Sequence, residues 1–220
     1  MDREELYREM AKQKVEMNPG ERVMAYMTGQ PVDFIPHDIL APFDAFGVAF
    51  GYTRGQIIRS YEVRKDIIRR IEDEMGYASL GVSLDLRGIG EAAGSVIEYP
   101  EDRVDFVAHH VCTDYDEFLK QEPLDPRTNP FLAGKLEEAR NLMRDFPHLP
   151  MSTGVAGPIS TVAAIRPIEQ ALRDSRRQPE NLHQLLDWCV ESSLNWVRVF
   201  YEETGCVSTA ISDPSPPPTS

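Results

Sequence analysis

The chain has 220 residues, of which 41 % are hydrophobic and 27 % are charged, a balance typical of a folded globular protein. Its 36 acidic side chains outnumber its 23 lysines and arginines, so the formal net charge is -13. A surface this acidic repels phosphate backbones and excludes general nucleic-acid binding. No apolar run approaches the roughly 20 residues of a membrane span. The charged N-terminus is unlike a secretory signal, so we expect a cytoplasmic protein without a membrane partner.

The N-terminal part of the chain is predicted to be helical. One helix is expected over residues 1–17 and a second over about 21–28, and together they define an N-terminal helical extension over residues 1–30. Residues 31–220 are predicted to form the main domain, beginning with a buried strand over residues 33–40.

The next segment combines a helix, a strand and a hairpin. Thr53 and Gln56 have the spacing of a capping box, which predicts the start of a helix that ends at Gly76. Gly47 to Gly51, before it, is expected to be a loop. A strand is predicted over residues 77–85 and a small hairpin over 95–107.

The remainder of the chain alternates helices and strands. The predicted elements are a helix over 131–146, a strand over 149–156, a helical stretch over 159–177 that Pro167 must kink or split, a helix from Pro179 to Gly205, and a strand over 206–212. Strands that alternate with helices predict an α/β fold with a parallel sheet and right-handed crossovers. Four such strands form either a small open sheet or the first half of a (β/α)8 barrel.

Reactive groups in parallel α/β folds gather where the strands end at their carboxyl side. The side chains placed there are His37 and Asp38 after the first strand, Asp85 after the second, Gly157 and Ser160 after the third, and Asp213 after the fourth. Carboxylates and a histidine at neighbouring strand ends suit acid–base chemistry or cation binding. The alternative is structural, since an aspartate after a strand also caps the turn that follows it.

Gly157 and Pro158 stand at a predicted strand-to-helix junction. Glycine permits a tight turn or a close approach to a ligand, and proline begins a helix whose free N–H groups attract an anion. A plain tight turn explains the same pair equally well, and the sequence leaves both interpretations open.

The cysteines and histidines give no metal motif. Cys112, Cys189 and Cys206 are widely spaced, with no CxxC pair, and the helical position of Cys189 predicts a core residue. The segment over residues 109–112, HHVC, does not supply a tetrahedral ligand set, because a strand directs adjacent histidines to opposite faces. We therefore predict no metal site in this chain.

Three segments, in order, resemble the uroporphyrinogen decarboxylase superfamily. Residues 85–101 resemble the segment in which an aspartate precedes an E-A-x-G turn, here Glu91 to Gly94. Residues 155–161 resemble its GPxT signature, and residues 173–214 follow its RD…PE…LLD…G…DP run. The resemblance covers about residues 18 to 214. It implies a TIM barrel of which this chain covers about the first four strands, with the small hairpin inserted.

The family includes the decarboxylase of haem synthesis and zinc-dependent methyltransferases that act on corrinoid proteins. The decarboxylase has an arginine-bearing loop after its first strand, whereas residues 36–52 here contain no arginine. An octa-carboxylate substrate without those cations is poorly bound. The methyltransferase branch resembles the chain better, through residues 18–22, 157–158 and 213–214.

That branch implies methyl transfer from a methylated corrinoid protein, which carries methylcobalamin, to a small thiol or pterin acceptor. The resemblance then implies Asp85 and Asp213 as catalytic polar groups. The substrate-binding residues on this interpretation are His37, Asp38, Glu91, Gly157 and Ser160.

Zinc in that branch is bound by an HxC motif and a late cysteine, neither of which is in this sequence. We therefore expect the chain to be the N-terminal part of the enzyme, inactive by itself, with zinc bound only by the full-length protein. The alternatives are a uroporphyrinogen decarboxylase of porphyrin biosynthesis and a non-catalytic fragment that acts as a binding module.

Overall fold

The computed structural model describes residues 16–17, 19–33, 35, 43–75, 79–101 and 103–213. The helices in this part of the chain are α1 (Pro19–Met27), α2 (Phe43–Ala49), α3 (Arg54–Arg59), α4 (Tyr61–Met75), α5 (Gly88–Ala93), α6 (Tyr115–Phe118), α7 (Pro130–Asp145), α8 (Pro158–Ile165), α9 (Ile168–Arg177) and α10 (Pro179–Thr204). The strands are β1 (Leu80–Ser83), β2 (Val96–Glu98), β3 (Phe106–His109), β4 (Met151–Ala156) and β5 (Thr209–Ser212).

A three-stranded parallel sheet in the order β1-β4-β5 forms the centre of the described fold. Leu80 of β1 lies opposite Met151 of β4, and Thr153 of β4 lies opposite Thr209 of β5. The predicted α/β class and the parallel pairing of three predicted strands are therefore confirmed. The remaining predicted strand, the first in chain order over residues 33–40, lies mostly outside the described residues. Within the described residues the sheet is open, and no closed barrel is present.

The predicted hairpin is also confirmed, as a separate two-stranded sheet of β2 and β3. It is antiparallel and extends to His109, two residues beyond the predicted end. The hairpin is thus an insertion between β1 and β4 that does not interrupt the parallel sheet.

The longest described helix, α10, packs on the sheet through a hydrogen-bonded tryptophan. The buried Trp196 donates through Nε1 to Thr153 Oγ1 at 2.9 Å, and the Thr153 hydroxyl donates to the Val82 carbonyl at 2.7 Å. A chain of two hydrogen bonds therefore joins α10 to β4 and β4 to β1 in the apolar core. No helix of the described residues, α10 included, has the length and apolarity that crossing a bilayer requires.

The helical region before β1 differs from the sequence prediction in two places. The capping box of Thr53 and Gln56 is present, but the predicted single helix is broken at Ser60, whose backbone is extended. Gly47, predicted to lie in a loop, is buried within α2. A Cβ at this position would lie 2.4 Å from Ile57 Cδ1, so glycine allows α2 to approach α3 closely.

Pro167 separates α8 from α9, as predicted, and Gly205 ends α10 with φ of 68°. The break at Pro167 directs Arg166 into the core. The Arg166 side chain donates to Asp174 Oδ2 at 2.8 Å and to the carbonyls of Cys112 and Thr113. Because both charges are buried, each depends on the other to offset its lost hydration.

We expect Arg166→Met to lower the free energy of unfolding by about 3–5 kcal/mol, because it leaves the Asp174 carboxylate buried without its cation. Urea denaturation of the chain measures this loss. Arg173→Met is the matched control, since Arg173 lies exposed on the neighbouring helix, and its expected effect is within about 0.5 kcal/mol. A loss below about 1 kcal/mol for Arg166→Met would contradict the assigned role of the buried pair.

Candidate functional site

The carboxyl edge of the parallel sheet brings four of the predicted site residues together. Asp85 follows β1, Gly157 follows β4 and leads to Ser160 in α8, and Asp213 follows β5. Because β4 lies between β1 and β5, the ends of these two outer strands are two strand spacings apart, or about 10 Å. The edge therefore carries one carboxylate on each side of a helix N-terminus.

Asp213 caps the start of α8 from the neighbouring strand. Its carboxylate accepts hydrogen bonds from the backbone N–H groups of Ile159 at 3.3 Å and Ser160 at 3.1 Å, and from the Ser160 hydroxyl at 2.8 Å. A negative charge at this position is favourable because the free N–H groups of the helix carry partial positive charge. The anion at this helix start is therefore the chain's own carboxylate.

Gly157 is required by the same contact. Its φ of -69° is ordinary, so backbone freedom does not explain the glycine. A Cβ built there would lie 2.3 Å from Asp213 Cβ and 2.4 Å from its carboxylate carbon. The missing side chain thus gives Asp213 the space to reach α8, and Gly157 packs against protein rather than open solvent.

Asp85 is the accessible carboxylate of this edge. Its backbone is left-handed, with φ of 49°, a conformation that aspartate adopts more readily than most residues. The surrounding protein desolvates the carboxylate and raises the pKa of Asp85, although the residue itself remains open to solvent. Ser83 and Lys135 oppose this increase in the pKa of Asp85, whereas the negative charges of Asp44 and Asp105 add to it.

Glu91 lies on α5 and is engaged by the hairpin. It accepts a hydrogen bond from the Tyr99 hydroxyl. Burial and then this bond raise the pKa of Tyr99 far above its ordinary value, so the phenol stays a hydrogen-bond donor well into the alkaline range. Asp85 is close enough to add to the effect. Glu91 therefore belongs to the same neighbourhood as Asp85, with one of its oxygens already bonded.

An ion-pair network near Asp85 was missed by the sequence analysis. The buried Asp105 accepts from Arg87 Nη1 at 2.6 Å and from Arg54, which also pairs with Asp44. Arg54 and Asp105 are 51 positions apart, and nothing in either local sequence indicates the pairing. The consequence for the site is that both arginines are neutralised by the chain's own carboxylates.

The remaining predicted site residues and the three cysteines lie apart from this edge or outside the described part of the chain. His37 and Asp38 lie outside the described residues. Cys112, Cys189 and Cys206 are free and buried, which confirms Cys189 as a core residue, and burial raises the pKa of the Cys189 thiol strongly. Within the part of the chain that the structure describes, no group of three or more His, Cys, Asp or Glu side chains is placed to hold a metal ion.

Comparison with known proteins adds the following findings. Residues 18–217 match the family described as Uroporphyrinogen decarboxylase (URO-D). Among solved structures, the chain is similar to a methyltransferase from Methanosarcina mazei, with 20 % identity and a TM-score of 0.71. The match covers 90 % of this chain but 60 % of that one, so the chain spans less than two thirds of its structural neighbour. No curated protein matches the sequence.

We expect Gly157→Ala to destabilise the chain by about 1–3 kcal/mol, because the added methyl group and the Asp213 carboxylate cannot share the same space. Thermal or urea unfolding measures the change. Gly134→Ala is the control, since Gly134 lies exposed in α7 with no atom within 4 Å of an added Cβ. That control is expected to gain about 0.5–1 kcal/mol from helix propensity. A neutral Gly157→Ala would show that Asp213 does not need the glycine.

Asp85→Asn is expected to raise stability at pH 7. A carboxyl group whose folded pKa lies above its unfolded value binds its proton more tightly in the folded state, so its ionisation destabilises the fold. Asparagine removes that charge and tolerates the left-handed backbone. The difference from the parent chain should shrink as the pH falls through the pKa of Asp85, because the parent then becomes neutral as well.

Asp145→Asn serves as the control of opposite sign. Its hydrogen bond from Lys65 lowers the pKa of Asp145, so the ionised form stabilises the fold above the unfolded pKa. The variant should be less stable than the parent at pH 7, and that difference should disappear as the pH falls through the lowered pKa. Unfolding curves at a series of pH values test both signs, and equal signs would contradict the assignments.

Proposed function

The chain belongs to the uroporphyrinogen decarboxylase family, and from this we propose that it forms part of a corrinoid-dependent methyltransferase. The reaction moves a methyl group from a methylated corrinoid protein to a small thiol or pterin acceptor. With a thiol acceptor, the cobalt–carbon bond breaks, a sulfur–carbon bond forms, the thiol proton is released, and the corrinoid departs as cob(I)alamin. The fold shared with a protein named a methyltransferase supports this branch.

The observation that carries the choice of branch is the pairing of Arg54 and Arg87 around Asp105. A substrate with many carboxylates needs unpaired cations to offset its charge. Here the two arginines of this network already bind carboxylates, and residues 36–52 supply no other arginine. The edge therefore favours a substrate that does not need several free arginines.

Asp85 is the group that we assign to the reacting molecules. It is exposed at the end of β1, and its raised pKa brings proton exchange closer to neutral pH than for an ordinary aspartate. In the proposal it orients the methyl acceptor and accepts its proton. Asp213 acts through Ser160 by fixing the start of α8, and Gly157, buried beside Asp213, allows that contact and does not itself face the substrate. The substrate surface is completed by Ser160 and Glu91, with His37 and Asp38.

Zinc and methylcobalamin belong to the proposal as well. The three cysteines fit no zinc site, because all are buried and no metal-binding group occurs among the described residues. Bound zinc would lower the pKa of an acceptor thiol and stabilise the thiolate. The proposal places its ligands outside the described residues, and the roles assigned to Asp85 and Asp213 do not depend on it.

The test is methyl transfer by the purified full-length protein, with zinc content measured in parallel. Methylcobalamin replaces the corrinoid protein, a small thiol serves as acceptor, and the loss of methylcobalamin absorbance reports the rate. Asp85→Asn is expected to lower that rate by about 100-fold, the scale of a lost proton-transfer group. Asp145→Asn should retain the parent rate, because Asp145 ends α7 and pairs with Lys65 of α4.

Binding of uroporphyrinogen separates the alternatives. Weak binding is expected, because the arginines of the site are already paired. A submicromolar dissociation constant together with decarboxylation would overturn the choice of branch in favour of the decarboxylase. If a folded and zinc-loaded protein carries out neither reaction, that result would support the non-catalytic binding module.

A further inference from the structure

The Ser83 side chain joins β1, β4 and the backbone of Asp85. Ser83 lies opposite Gly154 in the parallel register, and its hydroxyl donates to the Gly154 carbonyl at 3.2 Å. The same oxygen accepts the Asp85 N–H at 3.0 Å. The Gly154 carbonyl also accepts from Leu84 N at 2.9 Å, so Ser83 and Leu84 both bond this carbonyl of β4, and Asp85 is linked to it through the Ser83 hydroxyl.

This arrangement bears on an unusual piece of backbone. Among the described residues, Asp85 is the one non-glycine residue with a positive φ. Such a backbone conformation persists where surrounding contacts stabilise it. The Ser83 hydroxyl satisfies the N–H of that residue, which the strand ladder no longer binds. The hydroxyl is therefore in a position to stabilise this turn of the backbone.

We propose that Ser83 is a positioning residue, which holds Asp85 in its left-handed turn at the site by a hydroxyl relay from Gly154 of the neighbouring strand. The link to catalysis rests on the proposed function, whereas the positioning itself does not. The relay also explains why β4 has glycine at 154, because a Cβ there would lie 2.9 Å from Ser83 Oγ.

The charged surroundings of Asp85 are distributed over several elements. Lys135 of α7 opposes the increase in its pKa, and Asp44 of α2 and Asp105 before β3 add to it. Ser83 lowers the pKa of Asp85 through a side-chain hydrogen bond. Removing only the hydroxyl keeps these three charged side chains, so a change in the titration of Asp85 reports the loss of the Ser83 hydroxyl, and Gly154 variants test its link to β4.

The first test compares Ser83→Ala with Ser152→Ala. Ser152 is the matched control, because its hydroxyl donates to the Leu80 carbonyl at 3.1 Å across the same two strands without a contact to Asp85. Carbon-detected NMR follows the Asp85 carboxyl titration, with its resonance assigned through Asp85→Asn. The titration midpoint should move upward in Ser83→Ala and remain at the parent value in Ser152→Ala. Ser83→Thr, which keeps the hydroxyl, should restore it.

The second test uses Gly154. Gly154→Ala should displace the Ser83 hydroxyl and change the Asp85 titration in the same direction as Ser83→Ala. In the Ser83→Ala background the added methyl group meets Ser83 Cβ at 3.7 Å and the Ala210 carbonyl at 3.6 Å, which are ordinary contacts. The double variant should therefore match Ser83→Ala alone, a non-additivity that residues in direct contact show.

The outcomes separate positioning from function. An unchanged titration in both Ser83→Ala and Gly154→Ala, or equal changes in Ser83→Ala and Ser152→Ala, would overturn the positioning role. If the titration responds as expected while the parent protein transfers no methyl group, the proposed function fails and the relay stands. If methyl transfer occurs, Ser83→Ala should lower its rate and shift its pH profile upward, whereas Ser152→Ala should do neither.

Discussion

The Asp213 carboxylate at the start of α8 is the contact on which the described carboxyl edge depends. All four residues of β5 are exposed, so this strand gains little from burial and relies on its ladder with β4. Asp213 adds three hydrogen bonds to backbone and side-chain groups of α8, which follows β4 directly. One charge thereby joins the outer strand to the helix of the neighbouring β–α unit, and the approach requires glycine at position 157.

The same contact assigns different roles to the two aspartates that the sequence presents alike. The Asp213 carboxylate makes structural contacts, because a helix N-terminus offers it partial positive charge and free N–H donors. The Asp85 carboxylate has a weaker counterpart in the Ser83 hydroxyl and the Lys135 charge, and desolvation by neighbouring protein outweighs them and raises its pKa. Asp213 thus makes stabilising contacts at one strand end, and Asp85 is an accessible, destabilising charge at the other. This arrangement is expected where a fold also serves a reaction.

Charge balance, rather than fold, distinguishes the possible reactions at this edge. The family and the structural likeness are shared by proteins of different chemistry, so they do not choose a substrate. The pairing of Arg54 and Arg87 with Asp105 does bear on that choice, because a paired guanidinium has fewer donors left for a ligand. Because these arginines are already paired within the protein, they contribute less to binding an anionic ligand.

Features that rest on local chemistry could be predicted from the sequence. Pro167 interrupts the interior of a helical stretch, Gly205 permits the left-handed residue that ends α10, and Thr53 with Gln56 begins α3. The alternation of helices and strands was enough to predict the parallel sheet, and that prediction put Asp85 and Asp213 at one edge.

Tertiary structure alone decided which of those polar groups are satisfied. Arg54 meets Asp105 across 51 positions and Ser160 meets Asp213 across 53, and no local pattern encodes either pair. The sequence prediction also placed Gly47 in a loop, whereas it lies within a helix. Glycine fits there because Ile57 of another helix lies close to this position. Local preference sets where an element begins and ends, whereas pairing depends on distances that exist only after the elements have packed.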